Sequence, residues 1–166
     1  MSLGGYKMRK LPITREGYCK LQEELEKLVK VVKPSVVAAV AQARELGDLS
    51  ENAEYHEARK EQSFVEGKIR ELQLCLSEAE VIDVSQFTGE RVKFGASVTL
   101  ENMESKSVLI YQIVGNLESD IKEGKISVSS PIGKAVMNKE VGEIVEIDLP
   151  SGKKTYKILG VEFRQS

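Results

Sequence analysis

Residues 43–55 decide the fold, and they read Ala43-Arg44-Glu45-Leu46-Gly47-Asp48-Leu49-Ser50-Glu51-Asn52-Ala53-Glu54-Tyr55. This stretch lies between two long helical patterns. Gly47 is predicted to stop the first helix, because only glycine takes the left-handed cap conformation without a steric penalty. Asp48 is predicted to start the second helix, and Glu51 follows at the spacing of a capping box. The stretch therefore predicts the turn of an antiparallel helical hairpin, with an acidic tip near residues 47–54.

The chain before the turn has the apolar spacing of a coiled-coil helix. Leu11–Thr14 is predicted to be extended, with Thr14 as the N-cap of the helix. Pro34 lacks an N–H and clashes with the preceding turn, so we expect a kink or break near Val32–Lys33 and a direct restart. Apolar residues recur at gaps of three and four. The predicted seam comprises Tyr18, Leu21, Leu25, Leu28 and Val32, followed by Val36, Val37, Val40 and Ala43 or Arg44.

The chain after the turn has a second seam with the same alternation of gaps. Gln62 is a polar break in this seam, of the kind that fixes the register of two helices at some cost in stability. Two helices joined by one short connection lie antiparallel, and about 30 residues in each give an arm of roughly 45 Å. We therefore predict a coiled-coil domain over residues 8–80. Its second seam comprises Tyr55, Ala58, Gln62, Val65, Ile69, Leu72, Leu76 and Ala79.

The pattern changes near Glu80, where short β-branched or alternating runs replace the helical spacing. Turn signals separate these runs, which is typical of an antiparallel sheet. Residues 130–136 are predicted to form a short helix, with Ser130 as the cap and Pro131 at its first position. Residues 81–166 are therefore predicted to form a compact α+β domain. Its strands are expected at Val92–Leu100, Ser107–Val114, Lys125–Val128, Ile144–Leu149 and Thr155–Phe163.

Composition excludes several classes of protein. The 166 residues carry a net charge of −2 and are 41% hydrophobic, which favours small folded domains and argues against a broad nucleic-acid-binding surface. No apolar run reaches the length of a membrane span. Cys19 and Cys75 lack metal-ligand spacing, and we expect two reduced thiols in a cytosolic protein. His56 is expected to be an exposed residue of the tip rather than a metal ligand.

The acidic tip has two interpretations. Asp48 and Glu51 could cap the second helix, where acids satisfy free N–H groups and suit the helix dipole. Glu45 and Glu54 bring further acids to the same place, however, and their mutual repulsion has no evident structural benefit. Carboxylates are hard oxygen ligands suited to Mg²⁺, which usually takes one or two of them and completes its shell with water and phosphate oxygens. Under this interpretation the tip is half of a metal site, and another macromolecule supplies the remaining ligands.

Two motifs resemble one known family. Residues 43–56 resemble the tip signature of the Gre transcript-cleavage factors of bacteria. Residues 126–135, which read Ile-Ser-Val-Ser-Ser-Pro-Ile-Gly-Lys-Ala, resemble the C-terminal domain of the same family. Both motifs fall in the predicted order and structural context, and the resemblance covers essentially the whole chain from Met8.

The resemblance implies a function that depends on a partner. Gre factors bind RNA polymerase, insert the coiled coil into its secondary channel and place a C-terminal domain, similar to an FK506-binding-protein fold, at the channel rim. Asp48 and Glu51 match the two tip acids, which help to hold the second Mg²⁺ of the polymerase and the attacking water. The reaction is endonucleolytic cleavage of backtracked RNA by two-metal in-line displacement. The protein would thus be no enzyme itself, would hold no tightly bound cofactor alone, and would act in the cytoplasm without a membrane partner.

Other positions match the family less specifically. Arg44, Arg59 and Lys60 are candidates for phosphate contacts with the extruded RNA 3′ end. Taken singly, each is better explained as a solvated helix charge that pairs with Glu45, Glu57 or Glu61. Ser129 and Pro131 fall where the family contacts the channel rim, although a helix cap and a first-turn proline would explain them as well.

Three rival functions stay open at this point. A polymerase-binding regulator could enter the same channel without stimulating cleavage, and the pair Asp48 and Glu51 argues against it. A prolyl isomerase with a coiled-coil handle would need an aromatic-lined pocket, yet the chain has no Trp and only 5% aromatic residues. A plain coiled-coil scaffold would leave the acidic tip unexplained.

Overall fold

A computed structural model describes residues 10–47 and 51–164, and the chain forms two compact units. The first is a helical hairpin, Tyr18–Glu78, and the second is a globular unit that combines residues 10–17 with residues 79–164. The sequence predicted a hairpin domain over residues 8–80, whereas residues 10–17 pack with the globular unit. None of the described helices combines the length and the apolar character of a membrane span.

A short parallel pair of strands explains this division. Strand β1, Leu11–Thr14, pairs with β2, Ala79–Ile82, although the whole hairpin separates them in sequence. Ile13 is fully buried within the globular unit. Burial of one large aliphatic side chain contributes about 1.5–3 kcal/mol, and the strand pairing satisfies its backbone groups. The segment that enters the first helix is therefore part of the globular core.

One carboxylate fixes the start of the first helix, α1, Arg15–Lys27. The hydroxyl of Thr14 accepts a hydrogen bond from the Gly17 N–H at 3.1 Å, which confirms Thr14 as the N-cap. Glu118 accepts hydrogen bonds from the Thr14 N–H at 3.0 Å, the Gly115 N–H at 3.1 Å and the Thr14 hydroxyl. The Glu118 side chain thus joins the cap of α1 to a loop of the globular unit.

The first arm of the hairpin is continuous through Pro34. After α1 the chain makes a π-helical turn, Leu28–Val32, and continues as α2, Lys33–Glu45. Proline has no N–H for the carbonyl four residues back, and the Lys33 N–H donates instead to the Leu28 carbonyl, five residues back. Of the predicted kink or break near Val32–Lys33, the break is wrong, because a π-helical turn accommodates the proline ring and the helix continues directly as α2.

The second arm is α3, Ala53–Glu78, which packs against α2 along a narrow apolar seam. The predicted seam is confirmed, and it uses Val36 rather than Val37 and Ala43 rather than Arg44. Gln62 is half-buried and bonds to Arg59 and Glu66 on its own helix. The buried apolar side chains of α2 and α3 are Val36, Val40, Ala43, Ala58, Val65, Ile69 and Leu72.

The globular unit contains a five-stranded sheet. Its strands are β3, Ser97–Asn102; β4, Val108–Val114; β5, Lys125–Ser127; β6, Ile144–Leu149; and β7, Gly152–Glu162. Their order is β5-β4-β3-β7-β6. Three of the four pairings are antiparallel, as predicted, but β4 and β5 are parallel. The sheet is thus mixed: after β4 the chain passes through two short 3₁₀ turns, and β5 then runs beside the last three residues of β4 in the same direction.

The core of the globular unit lies on one face of this sheet. The short helix α4, Pro131–Val136, covers it, and the predicted Ser130 cap is confirmed because its hydroxyl accepts from the Gly133 N–H at 3.0 Å. The predicted strand start at Val92 is wrong, since Gly95 has a φ of +84° and β3 begins only at Ser97. The core consists of Val92, Ala96, Val98, Leu100, Ile113, Ile126, Val136, Val145, Ile147, Tyr156 and Ile158.

Gly115 provides a test of the packing at β1. A Cβ atom there would lie 2.1 Å from the Pro12 carbonyl oxygen, although the backbone at Gly115 has an ordinary φ of −71°. We expect Gly115→Ala to lower the free energy of unfolding by about 1–3 kcal/mol, the usual cost of overpacking. The matched control is Gly160→Ala on β7, where the nearest atom would be 3.8 Å away. Thermal unfolding measures both variants, and equal midpoints would contradict the close approach of β1.

Candidate functional site

The hairpin turn begins with a glycine, as the sequence predicts. Helix α2 ends at Glu45, and the Leu46 N–H donates to the Ala43 carbonyl at 3.2 Å. Gly47 then has a φ of +120°, a backbone conformation that residues with a Cβ atom rarely adopt. Asp48, the first predicted tip acid, lies outside the described residues. The chain is described again from Glu51, the second predicted acid, which is exposed.

Asn52, rather than Asp48, caps the second helix. Its side-chain oxygen accepts from the Tyr55 N–H at 3.0 Å, and its carbonyl accepts from the His56 N–H at 3.1 Å. Both contacts are those of an N-cap residue, and α3 accordingly begins at Ala53. The predicted helix start at Asp48 is therefore wrong. Glu51 precedes the cap, so it does not occupy the third helical position that a capping box would give it.

Two contacts join the helices directly behind the tip. The Asn52 side-chain nitrogen donates to the Ala43 carbonyl at 2.6 Å, so one amide both caps α3 and bonds to the last turn of α2. The Arg44 guanidinium lies over the Tyr55 ring, 5.6 Å from its centroid. Such a cation–π contact contributes about 0.5–1 kcal/mol at an exposed site. These contacts fix the ends of the two helices from which the tip is built.

The described part of the tip presents exposed carboxylates without a complete metal site. Glu45, Glu51 and Glu54 are all exposed. Among the described residues, no group of three acidic, histidine or cysteine side chains is placed to hold a metal ion. Glu51 offers hard oxygen donors that suit Mg²⁺, but a single carboxylate supplies at most two of its usual six ligands. The donor chemistry therefore fits a shared site better than a self-contained one.

The candidate basic residues line the hairpin near the tip. Arg44, Arg59 and Lys60 are all exposed. Arg59 donates to the side-chain oxygen of Gln62 at 2.7 Å, and Arg44 contacts Tyr55. Arg59 thus bonds to a side-chain amide and Arg44 contacts an aromatic ring, rather than the predicted neighbouring glutamates.

Four further residues were given a role or an exposure by the sequence. Tyr55 is half-buried, which agrees with its predicted place in the seam. His56 is exposed, as predicted, and its ring meets the Tyr55 ring edge-on with centroids 5.7 Å apart. Cys75 and Cys19 are free thiols, also as predicted. Burial and then the charges of Glu71 and Glu78 raise the pKa of the Cys75 thiol, which favours its protonated form.

The predicted rim residues belong to the globular unit. Ser129 and Pro131 are exposed at the start of α4. The Ser129 hydroxyl donates to the side-chain oxygen of Asn116 at 2.7 Å, and it shares a hydrogen bond of 2.8 Å with the Ser127 hydroxyl. The loop before α4 is therefore held by a network of side chains that leaves Pro131 on the surface. The predicted site residues are thus divided between the two units.

Asn52 is the residue of the tip that sequence reasoning missed. Asparagine is as good an N-cap as aspartate, so its place before the helical pattern was a usable signal. The D-x-x-E spacing of Asp48 and Glu51 competed with that signal. The cross-helix bond to Ala43 had no signal in sequence, because it depends on how closely the two helix ends approach.

Comparison with known proteins places both units in one family. Residues 11–81 match the family model described as transcription elongation factor, N-terminal, and residues 88–163 match transcription elongation factor, GreA/GreB, C-term. Transcription elongation factor GreA of Phenylobacterium zucineum is 50% identical over 94% of this chain and 99% of that protein. GreA of Caulobacter sp. strain K31 is 49% identical over the same shares.

Solved structures add a weaker similarity. The crystal structure of GreA factor homolog 1 (Gfh1) of Thermus thermophilus is 27% identical, with a TM-score of 0.43, over 93% of this chain and 99% of that one. Because this TM-score is below 0.5, the assignment rests on the sequence matches. The chain therefore belongs to the GreA/GreB family of transcription elongation factors, within which its similarity is to GreA.

Proposed function

We propose that this elongation factor binds bacterial RNA polymerase, enters its secondary channel with the helical hairpin, and stimulates the polymerase's own cleavage of backtracked RNA. The observation that carries the proposal is the position of Glu51. This carboxylate is exposed and precedes the N-cap of α3, which Asn52 provides. A glutamate that is not needed to satisfy the backbone of the helix is available for another ligand.

The hairpin supplies the reach that this function needs. Helix α3 has 26 residues, which at 1.5 Å per residue corresponds to about 39 Å. Its buried seam faces α2, and the acids of the tip lie at the opposite end of α3 from Glu78. A stiff arm can carry a carboxylate into a narrow channel without losing its orientation, which a flexible loop of the same length could not do.

Asp48 and Glu51 would hold a Mg²⁺ ion together with ligands from the polymerase and the RNA. When bound there, the ion would supply charge stabilisation to the phosphoryl oxygens and lower the pKa of a bound water. The contribution of this chain is to bring carboxylate oxygens to the shared site and to orient the water. The reactive centre belongs to the polymerase, so the protein is proposed to act as an activator and not as an enzyme, with no cofactor of its own.

Contacts to the RNA are proposed for Arg44, Arg59 and Lys60. All three are exposed cations near the tip, where the 3′ end of an extruded RNA would pass. Phosphate contacts of this kind position a strand without reading its sequence. Arg44 would do so while stacked on Tyr55, since a guanidinium keeps N–H donors at its edge when its face contacts a ring.

A second contact with the polymerase is proposed for Ser129 and Pro131, at the rim of the channel. The exposed Pro131 and the hydrogen-bonded loop before it form a rigid surface at the start of α4. Such a surface loses little conformational entropy on binding. This contact would supply affinity, whereas the tip would supply the stimulation of cleavage.

The tip acids give the first functional prediction. Glu51→Gln and Asp48→Asn should each abolish stimulated cleavage in backtracked elongation complexes, because the amide removes a charged ligand of Mg²⁺. Binding to the polymerase should change less than about twofold, since the rim contact and the hairpin are unchanged. The matched control is Glu54→Gln, an exposed acid in the first turn of α3, which should keep stimulation within about twofold of wild type.

Each outcome of that experiment is informative. If both tip variants bind polymerase and retain cleavage, the tip acids have a structural role. If the wild-type protein binds polymerase but shortens no transcript beyond the level of polymerase alone, the protein is a channel-binding regulator without cleavage activity. Loss of binding in the tip variants would also contradict the proposal.

The salt dependence of stimulation tests the RNA contact. Lys60→Gln should reduce stimulation by about two- to fivefold at low salt and flatten its dependence on salt, because a phosphate contact releases counterions. Lys68→Gln is the control on the same helix, since Lys68 already pairs with Glu71 at 3.6 Å. A salt dependence that is the same in wild type and Lys60→Gln would exclude a phosphate contact by this residue.

A further inference from the structure

We propose that Asn52 is a positioning residue for Glu51, through its hydrogen bond across the hairpin. The inference rests on the proposed function, because it assigns Asn52 a role in presenting the tip carboxylate. It goes beyond helix capping, which accounts for only half of the contacts of the Asn52 amide.

The oxygen of the Asn52 side-chain amide bonds within α3. The side-chain oxygen accepts from the Tyr55 N–H at 3.0 Å, and this contact fixes the helix start at Ala53. Asparagine, aspartate and serine cap helices about equally well. Capping alone therefore gives no reason for asparagine at position 52.

The nitrogen of the Asn52 side-chain amide bonds across the hairpin. The side-chain nitrogen donates to the Ala43 carbonyl at 2.6 Å, in the last turn of α2. An aspartate at position 52 would place an oxygen against that carbonyl and repel it. A serine has a side chain too short to serve both partners. Only asparagine among the good N-caps offers an acceptor and a separate N–H donor at this length.

The consequence for Glu51 follows from chain connectivity. Glu51 is bonded directly to Asn52, and Asn52 is held to both helices at once. The backbone of Glu51 is thus anchored on its C-terminal side, because the next residue in the chain is held in place. The Arg44–Tyr55 contact supports the same pair of helix ends, but it joins an exposed guanidinium to a half-buried ring and fixes no backbone group next to Glu51.

A carboxylate that shares a metal with a partner is sensitive to such placement. A displacement of about 1 Å can cost roughly 100-fold in a reaction that depends on orientation. Loss of the bond from Asn52 to Ala43 would leave the cap of α3 intact and widen the range of positions of Glu51. The loss should therefore affect cleavage much more than the stability of the hairpin.

Asn52→Ser tests the inference, because serine keeps the cap and removes the bond to Ala43 without changing the net charge. The stimulated cleavage rate at saturating factor should fall by about 5- to 20-fold, and half-maximal cleavage should need a higher Mg²⁺ concentration. The affinity for polymerase and the thermal midpoint should stay close to wild type. Asn52→Ala, which removes the cap as well, should also lower the thermal midpoint.

A second readout uses the free protein. Spin labels at Glu45→Cys and Glu54→Cys, in a background with Cys19→Ser and Cys75→Ser, report the distance between the two helix ends. Asn52→Ser should broaden the distance distribution, while the thermal midpoint stays close to that of the labelled parent.

Two results would overturn the inference. One is a wild-type cleavage rate, Mg²⁺ requirement and distance distribution in Asn52→Ser, with wild-type protein stimulating cleavage in the same assay. The other is a loss of cleavage that merely follows a loss of stability or of polymerase affinity. If the wild-type protein itself stimulates no cleavage, both the proposed function and this inference fail, which separates that outcome from the first.

Discussion

The carboxylate of Glu118 is the constraint on which the start of the first helix depends. It accepts hydrogen bonds from two backbone N–H groups and from the Thr14 hydroxyl. That hydroxyl in turn caps α1 by accepting a hydrogen bond from the Gly17 N–H. Hydrogen bonds to a charged group contribute about 1.5–3 kcal/mol each, more than a typical neutral bond. A Cβ atom at Gly17 would lie 2.1 Å from the Glu118 carboxylate, so a larger residue there would displace that carboxylate from its present position. Substitution of Glu118 or of Thr14 is therefore expected to affect where α1 begins.

The hairpin has a different basis for its stability, because two helices alone bury only a narrow stripe. The buried side chains of that stripe are valine, alanine, leucine and isoleucine, and they run from Val36 to Ala43 on α2. Ends of such a pair are its weakest part, since frayed turns lose few contacts. The bond from Asn52 to Ala43 and the contact of Arg44 with Tyr55 lie at this weak end. At the tip end of the hairpin, where the apolar seam ends, specific polar contacts thus take the place of apolar burial.

Sequence periodicity predicted what depends on local chemistry. The hairpin, its seam, the Thr14 and Ser130 caps, the turn at Gly47 and most strands follow from spacing and turn residues, and they are confirmed. Three features depended on long-range approach or on competition between equal local signals. Pro34 predicted a kink or break, and its position in the sequence did not show that a π-helical turn would accommodate it. The parallel pairing of β5 depended on the path of the chain after β4. The cap at Asn52 was missed because Asp48 offered an equally good signal. Of the candidate site, the exposed position of Glu51 was predicted, whereas the contacts of the adjacent Asn52 with both helices were not.

The choice between capping and chemistry at the tip can be argued from the helix start. Had α3 begun at Asp48, Glu51 would have stood at the third helical position and its carboxylate would have been used by the backbone. A start at Ala53 moves Glu51 outside the helix, near the positive end of the α3 dipole, with Glu54 in the first turn. The dipole offsets part of the repulsion between these acids, by about 0.3–1 kcal/mol for each near the terminus. Acids can therefore gather at this end at a modest cost, and the carboxylate of Glu51 is not used by the backbone of α3.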